Sequence, residues 1–218
     1  MLVLAIDTSS AAVTAAVVTI DDAVRVVAQR VTINPRAHGE LLAPSVAACL
    51  DETGAAPRDL DAIVAGVGPG PFTGLRVGLV TAAALADALG IPAYGVCSLD
   101  AIAGAVEAPS LLVASDARRR EVYWARYLDG ARVDGPHVDD PADVSTVDSA
   151  AMAGAGARLY AGVLGLPLFD ADYPKPTALV ESAAERVRTH AASEALTPLY
   201  LRRPDAAVPH APKAVSPR

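Results

Sequence analysis

Two short segments contain the residue types that could bind a phosphate or another anion. Residues 66–78, rich in glycine and proline, follow an apolar stretch and lead into a long apolar run. Glycines let a ligand approach the main chain, and a helix that begins there directs free N–H groups at an anion. Residues 7–10 add a carboxylate and three hydroxyl groups. The predicted anion or nucleotide contacts are Asp7, Thr8, Ser9, Gly70, Thr73 and Arg76.

Each segment also has a simpler interpretation. Residues 7–10 could form a β-turn whose side chains satisfy neighbouring backbone groups. The glycines of residues 66–78 could allow a tight crossing from strand to helix, with close packing and no ligand. The sequence alone leaves both alternatives open.

Composition and charge restrict the classes of protein that the chain can represent. Its 218 residues suit one large domain or two small ones, and 52% hydrophobic residues are ample for a core. A net charge of -7 argues against a stand-alone nucleic-acid binder, because basic charge dominates affinity for phosphates. Cys49 and Cys97 lie in apolar runs, as buried reduced thiols of a cytoplasmic protein would. We expect no membrane span, because charges or helix breakers interrupt every long apolar stretch.

The predicted elements position both segments at the ends of strands. An antiparallel meander is expected over residues 2–6, 13–20 and 24–33, followed by a helix over 38–53 that stops at Gly54. A buried strand over 62–67 then leads to a helix that Thr73 could cap and that ends at Gly90. Strands follow at residues 93–96, 111–115, 121–128, 131–133 and 151–154, with a loop from Pro136 and helices near 158–164 and 178–192.

The order of strands and helices occurs twice along the chain. We therefore predict an α/β fold with two lobes, the first over residues 1–104 and the second over residues 105–203. Residues 204–218 contain several prolines and little that could be buried, so a disordered tail is expected.

Four motifs in this order resemble the TsaB (YeaZ) family. They are Leu-Ala-Ile-Asp-Thr-Ser-Ser over residues 4–10, Gly-Pro-Gly-Pro-Phe-Thr-Gly-Leu-Arg-Val-Gly over 68–78, Ser-Asp-Ala-Arg-Arg over 115–119 with Glu-Val-Tyr over 121–123, and Pro-Leu-Tyr-Leu-Arg over 198–202. The resemblance spans about residues 1–203, and the four motifs together are far more specific than any one alone.

The resemblance implies a fold, a function and partners. The implied fold is the two-lobed actin/Hsp70-like (ASKHA) fold, each lobe a mixed sheet with helices. The implied function is that of an accessory subunit in tRNA threonylcarbamoyladenosine synthesis, pairing with the catalytic subunit TsaD and the ATPase TsaE. That complex transfers a threonylcarbamoyl group to the adenosine 3′ of the anticodon in tRNAs that read ANN codons. A homodimer of the free protein, indirect contact with tRNA and a cytoplasmic location are also implied.

The sequence departs from TsaD-like proteins where those proteins do chemistry. The turn after the strand over residues 111–115 reads Asp-Ala-Arg-Arg-Arg instead of a glycine-rich turn, and Ser98 and Ile102 occupy the positions of two metal-binding histidines. No catalytic residue and no metal site are therefore assigned. No cofactor is expected either, the open alternative being ATP at a junction with a partner. The chain would act as the required partner of an enzyme, and the alternative is an independent ATPase or phosphotransferase of the actin-like superfamily.

Two surfaces remain as candidate contact sites. In the resembling family the helices over 38–53 and 73–89 form the partner interface, which assigns to it Leu41, Leu42, Val46, Leu75, Gly78 and Ala82. An ordinary core face is the alternative for these residues. Arg118, Arg119 and Arg120 could contact tRNA or an acidic partner, or form a solvated turn.

Overall fold

The first half of the chain forms a five-stranded mixed sheet. A computed structural model describes residues 1–202, so the tail predicted over 204–218 lies outside the described residues. The strands run in the order β3-β2-β1-β4-β5, with β1, β2 and β3 antiparallel and β4 and β5 parallel to β1. The predicted meander is therefore confirmed. The strands are β1 Leu2–Asp7, β2 Ala12–Ile20, β3 Val24–Ile33, β4 Ala62–Gly66 and β5 Ala93–Val96.

Two long helices, α1 His38–Thr53 and α2 Phe72–Leu89, cover one face of this sheet. Their apolar side chains share a core cluster with inward residues of β1, β2 and β4. Gly54 and Gly90 end the helices in the left-handed conformation, with φ of 68° and 65°, as the sequence predicted.

The start of α2 differs from the prediction. The helix begins at Phe72 with Pro71 as its N-cap residue, so Thr73 lies inside the first turn and does not cap it. Pro71 has φ of -60° and ψ of 134°, an extended conformation from which the next residue can enter the helix directly.

The second sheet repeats the arrangement of the first with one strand fewer. Its order is β8-β7-β6-β9, with β6, β7 and β8 antiparallel and β9 parallel to β6. The strands are β6 Ser110–Asp116, β7 Val122–Leu128, β8 Ala131–Asp139 and β9 Ala151–Ala153. β8 continues through Pro136, where a loop was expected, because an edge strand tolerates a residue without an N–H group.

Shorter helices connect and cover the sheets. α3 Ser98–Ala103 lies between them, while α4 Ala155–Leu159 and α5 Ala161–Leu164 cover the second sheet. α6 Pro176–Glu181 and α7 Ala184–Arg188 replace the single helix expected over 178–192. The Ser182 hydroxyl, at the end of α6, donates to the Ala178 carbonyl at 2.8 Å, a local bond of the kind that competes with regular helix.

The C-terminal part of the chain returns to the first sheet. Leu179 and Val187 of α6 and α7 share a core cluster with Val3, Val64 and Tyr94. Farther along, the Glu194 N–H donates to the Ala93 carbonyl at 2.9 Å. The predicted division at residues 104/105 therefore separates the two sheets, but the end of the predicted second lobe packs on the first. The order of elements in the sequence cannot reveal such a return.

α2 is unusually apolar for a helix at a protein surface. Among residues 1–202, α2 is long enough and apolar enough to span a membrane by length and composition alone. Its mean hydropathy is 1.4, and one third of the helix is buried. This is weak evidence against the expectation of no membrane span, because a helix packed on a sheet passes the same test. In the structure α2 packs on β1 and β4.

Small residues allow α2 to lie close to the end of β1. A methyl group at Gly78 would stand 2.4 Å from Thr8 Oγ1 and 3.5 Å from Ile6 Cγ2. Gly78→Ala should therefore lower the free energy of unfolding by about 1–3 kcal/mol, since an overpacked core must shift. Urea unfolding would measure the loss.

Gly39→Ala is the matched control, because its added methyl group would meet none of the described residues within 4 Å. Alanine in a helix should leave stability unchanged or raise it by about 0.5–1 kcal/mol. Equal stabilities of the two variants would contradict close packing at Gly78.

Candidate functional site

The carboxylate of Asp7 is buried at the end of β1 and is bonded by hydroxyl and N–H groups. Ser9 donates to its Oδ1 from the backbone N–H at 3.0 Å and from the hydroxyl at 2.8 Å. Ser98, the first residue of α3, donates to Oδ2 at 2.6 Å. The Gly68 N–H in turn donates to the Ser98 hydroxyl at 3.2 Å. Asp7 therefore connects the first turn, the glycine-rich crossing and the helix between the sheets.

Burial dominates the electrostatics of this carboxylate. Asp7 is 1% exposed, and desolvation raises its pKa above the usual value. Hydrogen bonds from Ser98 and Ser9, together with the nearby His38, act in the opposite direction. The folded protein therefore favours the protonated carboxyl more than the unfolded chain does.

The remaining groups of the turn are bonded to α2 and to the crossing. The Thr8 hydroxyl donates to the Gly74 carbonyl at 2.8 Å and accepts from the Gly78 N–H at 3.0 Å. Gly70 lies so close that a methyl group there would stand 2.1 Å from the Ser9 carbonyl oxygen. Protein groups thus bond the Thr8 hydroxyl and stand against Gly70, on the sides where a ligand could otherwise contact these two residues. The structure brings together Asp7, Thr8, Ser9 and Gly70, but as a packed junction.

Arg76 is directed at an aromatic pair. Its Nε donates to the Tyr200 hydroxyl at 2.8 Å, and its guanidinium carbon lies 3.8 Å from the centroid of the Phe72 ring. The Phe72 and Tyr200 rings stack with centroids 5.1 Å apart. Sequence reasoning assigned no role to either aromatic residue. Both belong to the motifs quoted above, in a chain with only 4% aromatic residues, which was the available signal.

The three consecutive arginines form the turn between β6 and β7. Arg118, Arg119 and Arg120 have φ of 63°, 55° and 64°, the left-handed region that side chains rarely adopt. Arg202 fixes the turn by donating to the Ala117 carbonyl at 2.8 Å and pairing with Glu121. Arg118 lies 3.7 Å from Asp116 and is half exposed.

Three adjoining depressions open between the two sheets at this turn. All three are lined by Pro71 and Arg118. We call their rim the cleft mouth, and define it by Arg36, Arg118, Arg119, Arg202, Phe72 and Tyr200. Thr73, a predicted anion contact, lines one depression beside Arg36.

The predicted partner-interface residues lie mostly inside the first lobe. Five of them are buried, namely Leu42, Val46, Leu75, Gly78 and Ala82, whereas Leu41 is half-buried. They face the sheet because the apolar stripe of each helix supplies the core. The solvent-facing side of α2 instead presents Val80, which is 65% exposed, with Ala83 and Ala84. An apolar groove between α1 and α2 is lined by Ala43, Ala47, Leu85 and Leu89 among others.

The start of α3, between the two sheets, contains no cluster suited to a metal among the described residues. Within the described residues 1–202, histidine, cysteine, aspartate and glutamate form no group of three that could hold an ion. Ser98 donates to Asp7, and Ile102 is buried in the core. Burial raises the pKa of the neighbouring Cys97 thiol to about 11, so that the unreactive thiol form dominates at neutral pH.

Asp7→Asn tests the burial of the carboxylate through the pH dependence of stability. Because the folded pKa is raised, the contribution of Asp7 to stability is greatest below its unfolded pKa and falls as pH rises through the folded value. The free energy of unfolding of the wild type, relative to that of Asp7→Asn, should therefore fall from pH 4 to pH 8, because Asn does not titrate. It should change by about 1.4 kcal/mol for each unit of pKa shift. Urea unfolding at several pH values gives this difference, and a difference independent of pH would contradict a raised pKa.

Comparisons with known proteins identify the relatives of this chain. A family model described as "TsaD: tRNA N6-adenosine threonylcarbamoyltransferase" matches residues 26–163. An uncharacterized protein of Mycobacterium tuberculosis strain H37Rv is 52% identical over 204 residues, which cover 94% of this chain and 93% of that protein. The tRNA threonylcarbamoyladenosine biosynthesis protein TsaB of Escherichia coli K12 is 41% identical over 97 residues, or 43% of this chain and 42% of that protein.

A solved structure extends the likeness to the whole fold. YeaZ from Pseudomonas aeruginosa superposes with a TM-score of 0.77 at 30% identity, covering 92% of this chain and 99% of that chain. The likeness and the two mixed sheets confirm the predicted α/β, two-lobed actin/Hsp70-like (ASKHA) fold. The chain therefore belongs to the family that the TsaD model describes and, within it, to the TsaB (YeaZ) family.

Proposed function

We propose that this protein is a non-catalytic scaffold subunit in tRNA threonylcarbamoyladenosine biosynthesis. It would act with TsaD and TsaE in transferring a threonylcarbamoyl group to the adenosine 3′ of the anticodon in tRNAs that read ANN codons. Membership of the TsaB (YeaZ) family supports a role in this biosynthetic pathway. The single observation that carries the non-catalytic role is the occupied turn at residues 7–10, whose carboxylate and Thr8 hydroxyl are bonded to protein groups.

The packing of the glycine-rich crossing also favours a scaffold. In an actin-like enzyme a nucleotide lies in the cleft and is held from both lobes. Here Gly70 is in contact with Ser9, and α2 bonds to Thr8, so the first lobe offers packed protein instead of a phosphate cradle. The second lobe presents the charged turn of residues 116–120 in place of glycines.

The solvent-facing side of α1 and α2 is the surface best suited to TsaD. Val80, Ala83 and Ala84 of α2 are exposed, and the groove between the helices is lined almost entirely by apolar side chains. Small side chains let a partner helix approach closely, and burial of this face on association would supply hydrophobic free energy. The same surface would serve a homodimer of the free protein, so the dimer and the TsaD complex would be mutually exclusive.

A charge at the centre of this surface should weaken TsaD binding. Val80→Glu should reduce the affinity for TsaD by at least about 1–2 kcal/mol, since desolvating a carboxylate opposes burial. Surface plasmon resonance with immobilised TsaD would measure the change.

Val147→Glu is the matched control, because Val147 is also 65% exposed but lies after β8, beside the second sheet. Both variants should melt like the wild type by circular dichroism, since neither side chain is buried. Equal affinity of Val80→Glu and wild type for TsaD would rule out the α1–α2 surface. Equal losses in both variants would show that the effect is not local.

The isolated chain should bind no nucleotide in its cleft. Titration of the protein with ATP and Mg²⁺ in a calorimeter should give no heat beyond dilution at high protein concentration. Micromolar binding would instead support an independent ATPase or phosphotransferase. Repeating the titration with TsaD added to the calorimeter cell would test whether ATP binds at the junction of the two subunits.

A further inference from the structure

We propose that the cleft mouth is a direct binding surface for a single-stranded segment of RNA. The inference deepens the proposed function, on which it rests for the choice of RNA as the substrate class. It assigns to this chain an RNA contact of its own, beyond contact made through partner subunits. Arginines, an exposed aromatic pair and a buried hydroxyl without a partner among the described residues lie together there.

Positive charge is concentrated at the cleft mouth of an otherwise acidic protein. The chain carries a net charge of -7, yet the three depressions are lined by Arg36, Arg118, Arg119 and Arg202. Asp116 is the one carboxylate among the described residues that line them, and it lies 3.7 Å from Arg118. Glu121 pairs with Arg202 beside them, so the four arginines face two carboxylates at this place. Arginine is the side chain best suited to phosphate, because its planar donors match the phosphate oxygens. Anionic ligands would therefore be attracted to this place on the molecule.

The aromatic pair gives the surface a second property that an acidic peptide would not need. Phe72 is 39% exposed and Tyr200 is 37% exposed, and their stacked rings are fixed by Arg76. Exposed aromatic rings next to arginines are the usual platform for unstacked bases of single-stranded nucleic acid. The platform favours RNA over an acidic protein segment, and a single strand over a duplex.

The backbone holds the arginines at this position at a conformational cost. Three successive side chains in the left-handed region are uncommon, and strained conformations of this kind cluster at functional sites. The turn is anchored from both sides, by the Arg202 bond to the Ala117 carbonyl and by the Arg118 N–H donating to Asp116 Oδ1 at 2.8 Å. Because the backbone of the turn is anchored, little backbone entropy is left to lose on binding.

Ser115 provides an unused hydrogen-bonding group at the bottom of the cleft. It is 6% exposed, and its Oγ has no hydrogen-bond partner among the described residues. Ser115 and Arg118 line the same depression, together with Ser10 of the first lobe. A phosphate oxygen or ribose hydroxyl that reached this depth would pair with the Ser115 hydroxyl, which otherwise stays unsatisfied.

Fluorescence anisotropy on the full chain at several salt concentrations would test the proposal. The probes are an unmodified tRNA transcript, an unstructured 12-nucleotide RNA of uridine and adenosine, and a 12-residue polyglutamate peptide. Arg118→Asn/Arg119→Asn removes two charges with a residue that tolerates the left-handed conformation. Affinity for both RNAs should fall about tenfold. The slope of log affinity against log salt should shrink by about 1.4, or about 0.7 for each lost contact with single-stranded phosphate.

Matched variants separate a local site from general charge. Arg58→Asn/Arg188→Asn removes two exposed arginines from other parts of the surface and should change RNA affinity less than about twofold. Tyr200→Ala should weaken binding several-fold, whereas Tyr200→Phe retains the ring and should keep most of the affinity. Circular dichroism would verify the folding of each variant, and Arg36→Asn replaces any cleft-mouth variant that does not fold.

Three results would overturn the proposal. The first is an equal loss of affinity in the cleft-mouth and control arginine variants. The second is polyglutamate binding as tightly as RNA, which would indicate an acidic protein partner. The third is wild-type protein that does not bind either RNA at low salt. If TsaD still binds through the α1–α2 surface, any of these results would refute only the cleft-mouth inference. Loss of that TsaD association would count against the proposed function itself.

Discussion

The buried carboxylate of Asp7 is the constraint around which the first lobe and the start of α3 are arranged. It accepts hydrogen bonds from Ser9 in its own turn and from Ser98 at the start of α3. The Ser98 hydroxyl in turn accepts a hydrogen bond from the Gly68 N–H. A buried ionisable group must be hydrogen-bonded to be tolerated. The strand end, the glycine-rich crossing and the helix between the sheets are therefore held in one relative position.

Close packing has the same consequence at the neighbouring positions. Gly70 and Gly78 bring backbone against Ser9 and Thr8, so that the glycines serve protein packing where a phosphate could otherwise lie. In the scaffold role proposed here, these residues would serve internal structure instead of binding a ligand. The surfaces proposed to bind partners lie outside this packed junction. They are the apolar outer side of α2 and the arginine-rich cleft mouth. These two surfaces are chemically unlike, which suits them to different partners.

The sequence predicted the sheet strands and the long helices well. The periodicity of apolar residues and the residues that end each element are both local properties of the chain. Short β-rich runs separated by polar turns marked β1 to β3. Gly54 and Gly90 ended α1 and α2, where only glycine readily adopts the left-handed conformation. The cap at Thr73 was wrong, since Pro71 already sets the entry to the helix. The return of α6 and α7 to the first sheet could not be predicted, because it depends on contacts between residues far apart in the chain.

By itself the sequence determined the α/β class, the two repeats and the family, since these follow from residue order and motifs. Only the tertiary structure decided what the motif residues do. It showed that Asp7 and Thr8 are bonded to protein, that Leu42 and Leu75 face the core, and that Phe72 stacks on Tyr200. The physical reason is that spacing gives the face of an element on which a residue lies. Which element then covers that face is decided by packing over the whole chain.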